Sequence, residues 1–85
     1  MAKEIKVPDW FEGEIYDKGE VVTNRWSGES IELNNVELSI YDFIMGSEMY
    51  LEMQLEENNN IRKNMRKGLK WFKETNPEAY KILLD

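Results

Sequence analysis

Five acidic residues near the start of the chain are the first group that could carry out chemistry: Asp9, Glu12, Glu14, Asp17 and Glu20. Neighbouring carboxylates can act as a general acid and base or bind a divalent cation. Their spacing, however, lacks the alternating Asp and Asn positions and the terminal Glu of a calcium-binding loop. The chain also has no Cys and no His, which excludes the usual zinc sites and the Cys/His and Ser/His nucleophile systems. We therefore interpret the group as a solvated acidic surface and expect a non-catalytic protein without a metal or cofactor.

Basic residues form the second group, and six of them lie within an arc of about 140° when residues 60–73 are drawn as a helix. They are Arg62, Lys63, Arg66, Lys67, Lys70 and Lys73. Such a face can contact the phosphates of a nucleic acid, and Trp71 at its margin could stack on a base. It can also contact an acidic partner protein, or the chain's own acidic N-terminal part within one chain or across a dimer. The net charge of −6 favours the last reading, so nucleic-acid binding is the alternative function.

A β-hairpin is predicted for residues 21–33. Two runs rich in β-branched residues, 21–23 and 30–33, flank a segment that contains the turn residues Asn, Ser and Gly. Ile31 and Leu33 share one face of the second strand, which can therefore lie on a helix. Gly28 in the turn is expected to take a positive φ.

Arg25 and Trp26 would lie at the tip of this hairpin, and both belong to the residue types that dominate binding hot spots. They are the third candidate contact group. A competing reading has Trp26 folded back onto the core and Arg25 paired with Glu29 or Glu32. We favour the competing reading, because a small domain needs its aromatic side chains inside.

The element that must position these groups is a helix predicted for residues 34–55, with Asn34 and Glu37 spaced as a capping box. One arc of this helix carries the apolar residues Val36, Ile40, Phe43, Ile44, Tyr50, Leu51 and Leu55. A second arc carries Leu38, Tyr41, Met45, Met49 and Met53. A helix that is apolar on two sides needs cover on both. The helix could break at Gly46, or that glycine could allow close packing against a neighbour.

The second arc predicts a homo-oligomer, most simply a dimer. A chain of 85 residues without disulfides has a small core, so association is the remaining way to stabilise it. Positions 38, 41, 45 and 49 have spacings of 3, 4 and 4, which let two such helices pack side by side about a two-fold axis. Two other readings are a second layer of the same chain, built from Trp10, Phe11 and Trp71, and a different protein.

The remaining segments complete a single α+β domain, in which a hairpin packs on a long central helix and two C-terminal helices. Residues 1–4 are expected to be frayed, and Trp10 and Phe11 to cap the core. A short strand is predicted for residues 14–16. Residues 56–60 are predicted to form a polar turn before the basic helix. A final helix is predicted for residues 77–84, with Asn76 as its cap and Pro77 at its first position.

The runs YDKGEVV, TNRWSGESIELNNVELSIYDFIMG and MRKGLKWFKETNPEAYKILLD are similar to small uncharacterised proteins of tailed phages that infect marine bacteria, cyanophages especially. The resemblance implies a phage origin and a bacterial cytoplasm, but no activity, cofactor or site. The absence of a signal-like apolar run points to the same location, without a membrane anchor. The partner to be expected is a second copy of the chain, and the other reading is a host or phage protein. An acidic mimic of DNA is a further reading with little to support it.

Overall fold

Two short strands come first in the fold and three helices follow. The computed structural model describes residues 7–11, 13–53 and 59–84. The strands are β1 (Glu20–Thr23) and β2 (Ser30–Leu33), and the helices are α1 (Asn35–Met53), α2 (Asn59–Thr75) and α3 (Pro77–Ala79), which continues as a π-helical turn, Tyr80–Leu84. The predicted α+β class, with a hairpin ahead of a long central helix and C-terminal helices, is confirmed.

The hairpin is antiparallel, and Val22 lies opposite Ile31. Leu33 is fully buried and Ile31 half-buried, whereas the intervening Glu32 is exposed, as the alternation in the sequence predicts. Gly28 in the connecting turn has a φ of 78°, which confirms the expected positive value. A side chain at this position would strain the backbone, although no atom within 4 Å would meet it.

The start of α1 has the predicted capping box. Glu37 N donates a hydrogen bond to Asn34 Oδ1 at 2.8 Å, and Asn34 N donates one to Glu37 Oε1 at 2.9 Å. The second carboxylate oxygen of Glu37 accepts a bond of 2.9 Å from Asn76 Nδ2. Asn76 in turn caps α3 by accepting from Ala79 N at 3.1 Å. Glu37 therefore joins the starts of two helices, which explains why its carboxylate is buried.

The core lies where β2, the first half of α1 and the end of α2 meet. Its buried apolar members are Leu33, Val36, Leu38, Ile40, Ile44, Phe72 and Ala79. Gly68 of α2 is needed for this packing. A Cβ atom there would lie 2.9 Å from Ile44 Cγ1, so a larger residue would push α2 away from α1.

The described residues ahead of β1, 7–11 and 13–19, cover the core without forming a strand. Trp10 and Phe11 pack against Phe43, with ring centroids 6.4 and 5.7 Å away, so the predicted aromatic cap is present. The strand predicted for residues 14–16 is wrong, because this segment is irregular. Instead of pairing in a sheet, Tyr16 N donates to the side chain of Ser39 on α1 at 2.9 Å.

Helix α1 runs through Gly46 without a break, so the possible interruption does not occur. Among the described residues, nothing lies within 4 Å of a Cβ built on Gly46, so the close packing against a neighbour that this glycine could allow does not occur in this part of the chain. The final helix begins as predicted, with Asn76 as cap and Pro77 in the first turn. It then widens into the π-helical turn, from which Tyr80, Leu83 and Leu84 pack against the core.

Several predictions fall outside the described residues. These are the frayed start at residues 1–4, the acidic side chain of Glu12, the apolar position Leu55 and most of the turn at residues 56–60. The end of the central helix is described as far as Met53, and α2 is described from Asn59.

Candidate interaction surfaces

The tip of the hairpin holds Trp26 out in solvent. Its residue surface is 84% exposed, so the prediction that Trp26 folds back onto the core is wrong. The guanidinium carbon of Arg25 lies 5.3 Å from the centroid of the Trp26 ring, within the range of a cation–π contact. Among the described residues, Arg25 forms no ion pair with Glu29 or Glu32, which corrects the second half of that reading.

Asn24 fixes the shape of this tip. Its Oδ1 accepts hydrogen bonds from the backbone N–H groups of Trp26 at 2.8 Å and Ser27 at 3.1 Å, which is an Asx turn. Its Nδ2 donates to the carbonyl of Ile82 at 2.9 Å and so ties the tip to the C-terminal turn. Trp26 is therefore exposed on an ordered scaffold, and little conformational entropy would be lost when a partner covers it.

A groove of about 410 Å³ opens beside the Trp26 ring. Its lining includes Ile44 and Met45 of α1, Leu69 of α2 and Leu83 of the C-terminal turn. Arg25 also lies near enough to Tyr41 on α1 to affect its titration. Burial, with the charge of Asp42 as a smaller cause, raises the pKa of Tyr41, and the positive charge of Arg25 partly opposes this.

The second half of α1 leaves apolar side chains uncovered. Met53 is 74% exposed, Met49 61% and Tyr50 47%, and together with Gly46 they line a shallow hollow of about 410 Å³. Met45 precedes Met49 by one helical turn and also lines the groove beside Trp26. The hollow and the groove are two neighbouring regions with exposed or half-exposed apolar side chains, here together called the apolar surface: Trp26, Met45, Met49, Tyr50 and Met53.

On α1, the apolar surface differs from the predicted second arc at three positions. Leu38, predicted for an oligomer interface, is buried in the chain's own core beneath residues 16–20, so it cannot be part of an exposed stripe. Tyr41 is half-buried. Tyr50, assigned to the core-facing arc, is exposed instead. The shift arises because the irregular N-terminal segment covers the first half of this side of α1, which the sequence pattern does not reveal.

The basic residues of α2 do lie together. Arg62, Lys63, Arg66, Lys67 and Lys70 line a groove of about 490 Å³, and Lys73 lies one turn further along, 5.9 Å from the centroid of the Tyr80 ring. These six residues are called the basic face below. Within this face, Lys70 Nζ forms an ion pair with Glu74 Oε1 at 4.0 Å, and both side chains are largely exposed. Within one chain, the favoured contact between the basic face and the acidic N-terminal part has no support among the described ion pairs. The same contact across a dimer stays a prediction.

Trp71 is set apart from the basic face. It is half-buried, packs against the core, and meets Phe72 edge to face with ring centroids 5.2 Å apart. It does not line the basic groove, so it is unavailable for stacking on a base bound there.

The acidic N-terminal residues are spread along residues 9–20, and Glu12 among them lies outside the described residues. No group of three described carboxylates is placed to hold a metal ion. The notable contact is the hydrogen bond of 2.5 Å that Tyr16 OH donates to Asp42 Oδ2. This bond, together with the negative charge of Asp42, raises the pKa of Tyr16 above its usual value. The described helices also include none with the length and apolar character needed to cross a bilayer.

Comparison of the chain with protein-family models, with curated proteins and with solved structures finds no match. The similarity to phage proteins therefore stays a prediction. The three surfaces must be interpreted from their own chemistry.

Proposed function

We propose that the protein is a non-catalytic interaction module that works as a homodimer in the bacterial cytoplasm of a phage host, joined through the apolar surface. The observation that carries this proposal is the exposure of Trp26 and Met53, 84% and 74%, on the apolar surface of so small a protein. Monomeric proteins rarely leave large connected apolar patches in water. Tryptophan is also among the residues that contribute most to binding energy.

A second copy of the chain fits this surface for geometric reasons. Gly46, Met49, Tyr50 and Met53 follow the spacing i, i+3, i+4, i+7, so they form one stripe along α1. A two-fold axis beside the stripe would place the hollow at Gly46 against a methionine of the other copy, and the same contact would repeat in reverse. Methionine side chains adapt readily to such a hollow.

The interface of a stable dimer must be larger than any one of these side chains. A stable interface buries about 800 Å² on each partner. An aromatic side chain such as that of Trp26 supplies about 150 to 250 Å² of this area. The apolar surface would then form the centre of the interface, with polar residues around it forming the rim.

Light scattering on the purified chain tests the proposal, and the expected mass at micromolar concentration is twice 10.2 kDa. Met49→Glu combined with Met53→Glu should give monomers, because carboxylates cannot be buried face to face across a two-fold axis. Val21→Glu is the matched control, since Val21 is 58% exposed on the outer side of the hairpin and lies outside the apolar surface. It should leave the dimer mass unchanged.

Trp26→Ala tests whether the hairpin tip belongs to the same interface. Removing a hot-spot tryptophan should raise the dissociation constant of the dimer by more than about tenfold. A monomeric parent, or a double methionine variant that keeps the parent's mass, would refute the dimer. An unchanged dissociation constant for Trp26→Ala would remove the hairpin tip from it.

A further inference from the structure

The basic face of α2 is a strongly charged surface that the proposed dimer does not use. Helix α2 carries six basic residues and one acidic residue, Glu74, although the whole chain has a net charge of −6. The apolar residues of α2, which include Met65 and Leu69, pack on the core, so the basic face points away from it. Separation of charge on this scale creates a local positive potential on an acidic protein.

The cations are arranged in rows along the helix. Arg62, Arg66 and Lys70 follow one another at intervals of four residues, and each interval corresponds to a rise of about 6 Å. Lys63 and Lys67 form a second row beside the first, and both rows line the same groove. A linear polyanion with closely spaced charges could therefore contact several of these side chains at once.

The basic face also carries a local energetic cost. Lys63 lies near the start of α2, whose first turn holds no acidic residue, although the helix dipole favours negative charge at that end. Bound anions would reverse this cost, because the partial positive charge of the helix start would then act together with the side chains.

From these observations we infer that the basic face of α2 binds the phosphate backbone of a nucleic acid without reading its bases. The described residues that line the groove are all basic, and none is apolar. An acidic protein partner would be expected to meet an apolar centre poor in lysine, whereas phosphate contacts need only cations. Because Trp71 is packed against the core instead of the groove, base stacking is not part of the contact.

Fluorescence anisotropy tests this inference with a labelled single strand and a labelled duplex of about 20 nucleotides per strand, titrated at several salt concentrations. Four neutralised phosphates, one each for Lys63, Arg66, Lys67 and Lys70, would give a slope of log K against log salt of up to about −3.6 on duplex and about −2.8 on single strands. Arg66→Gln combined with Lys70→Gln should make the duplex slope shallower by about two units. Sequence changes in the probe should leave the affinity within a few fold.

Lys18→Gln combined with Lys81→Gln is the matched control. Both lysines are exposed and lie outside the basic face, and the pair changes the net charge by the same amount. The inference requires that this control keep the parent's slope, while circular dichroism shows both variants folded. The inference would be overturned by a lack of binding at low salt, or by equal losses of affinity in both double variants. It would also be overturned if a poly-glutamate chain bound more tightly than either nucleic acid, and that result would assign the face to an acidic protein. None of these outcomes depends on the dimer, since the apolar surface is unchanged in every variant.

Discussion

The two halves of α1 have the same mixed apolar and polar character in sequence but different surroundings in the fold. In the first half, Val36, Leu38 and Ile40 are buried, and so are the polar residues Glu37 and Ser39. In the second half, Met49, Tyr50 and Met53 are largely exposed. On the side of α1 that carries Leu38, the boundary lies near Asp42, which accepts the hydrogen bond from Tyr16 OH.

Along this one helix, the first half therefore stabilises the fold, and the second half is available for interaction with a partner. The first half makes contacts on all sides, including a capping carboxylate shared with a second helix. The second half has one side packed by Ile44 and Ser47 and another side bare. Substitutions in the first half should therefore change the folding of the chain, and substitutions on the bare side should change association instead.

The largest expected effect is that of Ile40→Ala, because Ile40 is fully buried in the core. Removing three carbon atoms there should lower the free energy of unfolding by about 2 to 5 kcal/mol, through lost burial and a residual cavity. Urea denaturation followed by circular dichroism measures the change. Met53→Ala is the control, and its effect on the monomer should stay within about 0.5 kcal/mol. Similar losses for the two variants would contradict the division of α1 into two halves.

Glu37→Ala should have the second largest effect. It removes the acceptor for Asn34 N and for Asn76 Nδ2, and leaves both donors without their partner in a buried position. The free energy of unfolding should fall by about 1.5 to 3 kcal/mol, since hydrogen bonds to a charged group are stronger than those between neutral groups. The same substitution at Glu48, which is exposed on the second half of α1, should be nearly neutral. If Glu48→Ala lowers the free energy of unfolding as much as Glu37→Ala does, the Glu37 carboxylate that joins the two helix starts does not stabilise the fold.

The sequence predicts well where signals are local. Asn34 with Glu37 marks the start of α1, Asn76 with Pro77 marks the start of α3, and Gly28 marks the turn. Each of these depends on residues within a few positions of one another, so neighbouring positions are sufficient to reveal it.

The errors arise where distant segments decide the outcome. Leu38 is covered by an irregular segment, which has no periodic pattern to predict it. Trp26 is exposed because Asn24 fixes the turn, both within the tip and through the distant carbonyl of Ile82. An Asn followed by Ser and Gly was a local signal for the Asx turn, but nothing in the sequence marks Ile82 as its second partner. The basic face was predicted from helical spacing alone, and its residues do line one groove.

Gly46→Ala should change the free energy of unfolding least of the three substitutions. It compares an exposed glycine on α1 with a closely packed glycine on α2. A Cβ at Gly46 meets no atom within 4 Å, so alanine should stabilise the monomer by about 0.5 to 1 kcal/mol through its better helix propensity. The measurement is made in the Met49→Glu, Met53→Glu background, so that association does not contribute. Gly68→Ala is the matched control, because its Cβ would lie 2.9 Å from Ile44 Cγ1 and should destabilise the chain by about 1 to 3 kcal/mol. The same added methyl group is thus expected to raise the stability of the monomer at Gly46 and to lower it at Gly68. A loss of stability for Gly46→Ala would mean that this side of α1 is covered within the monomer.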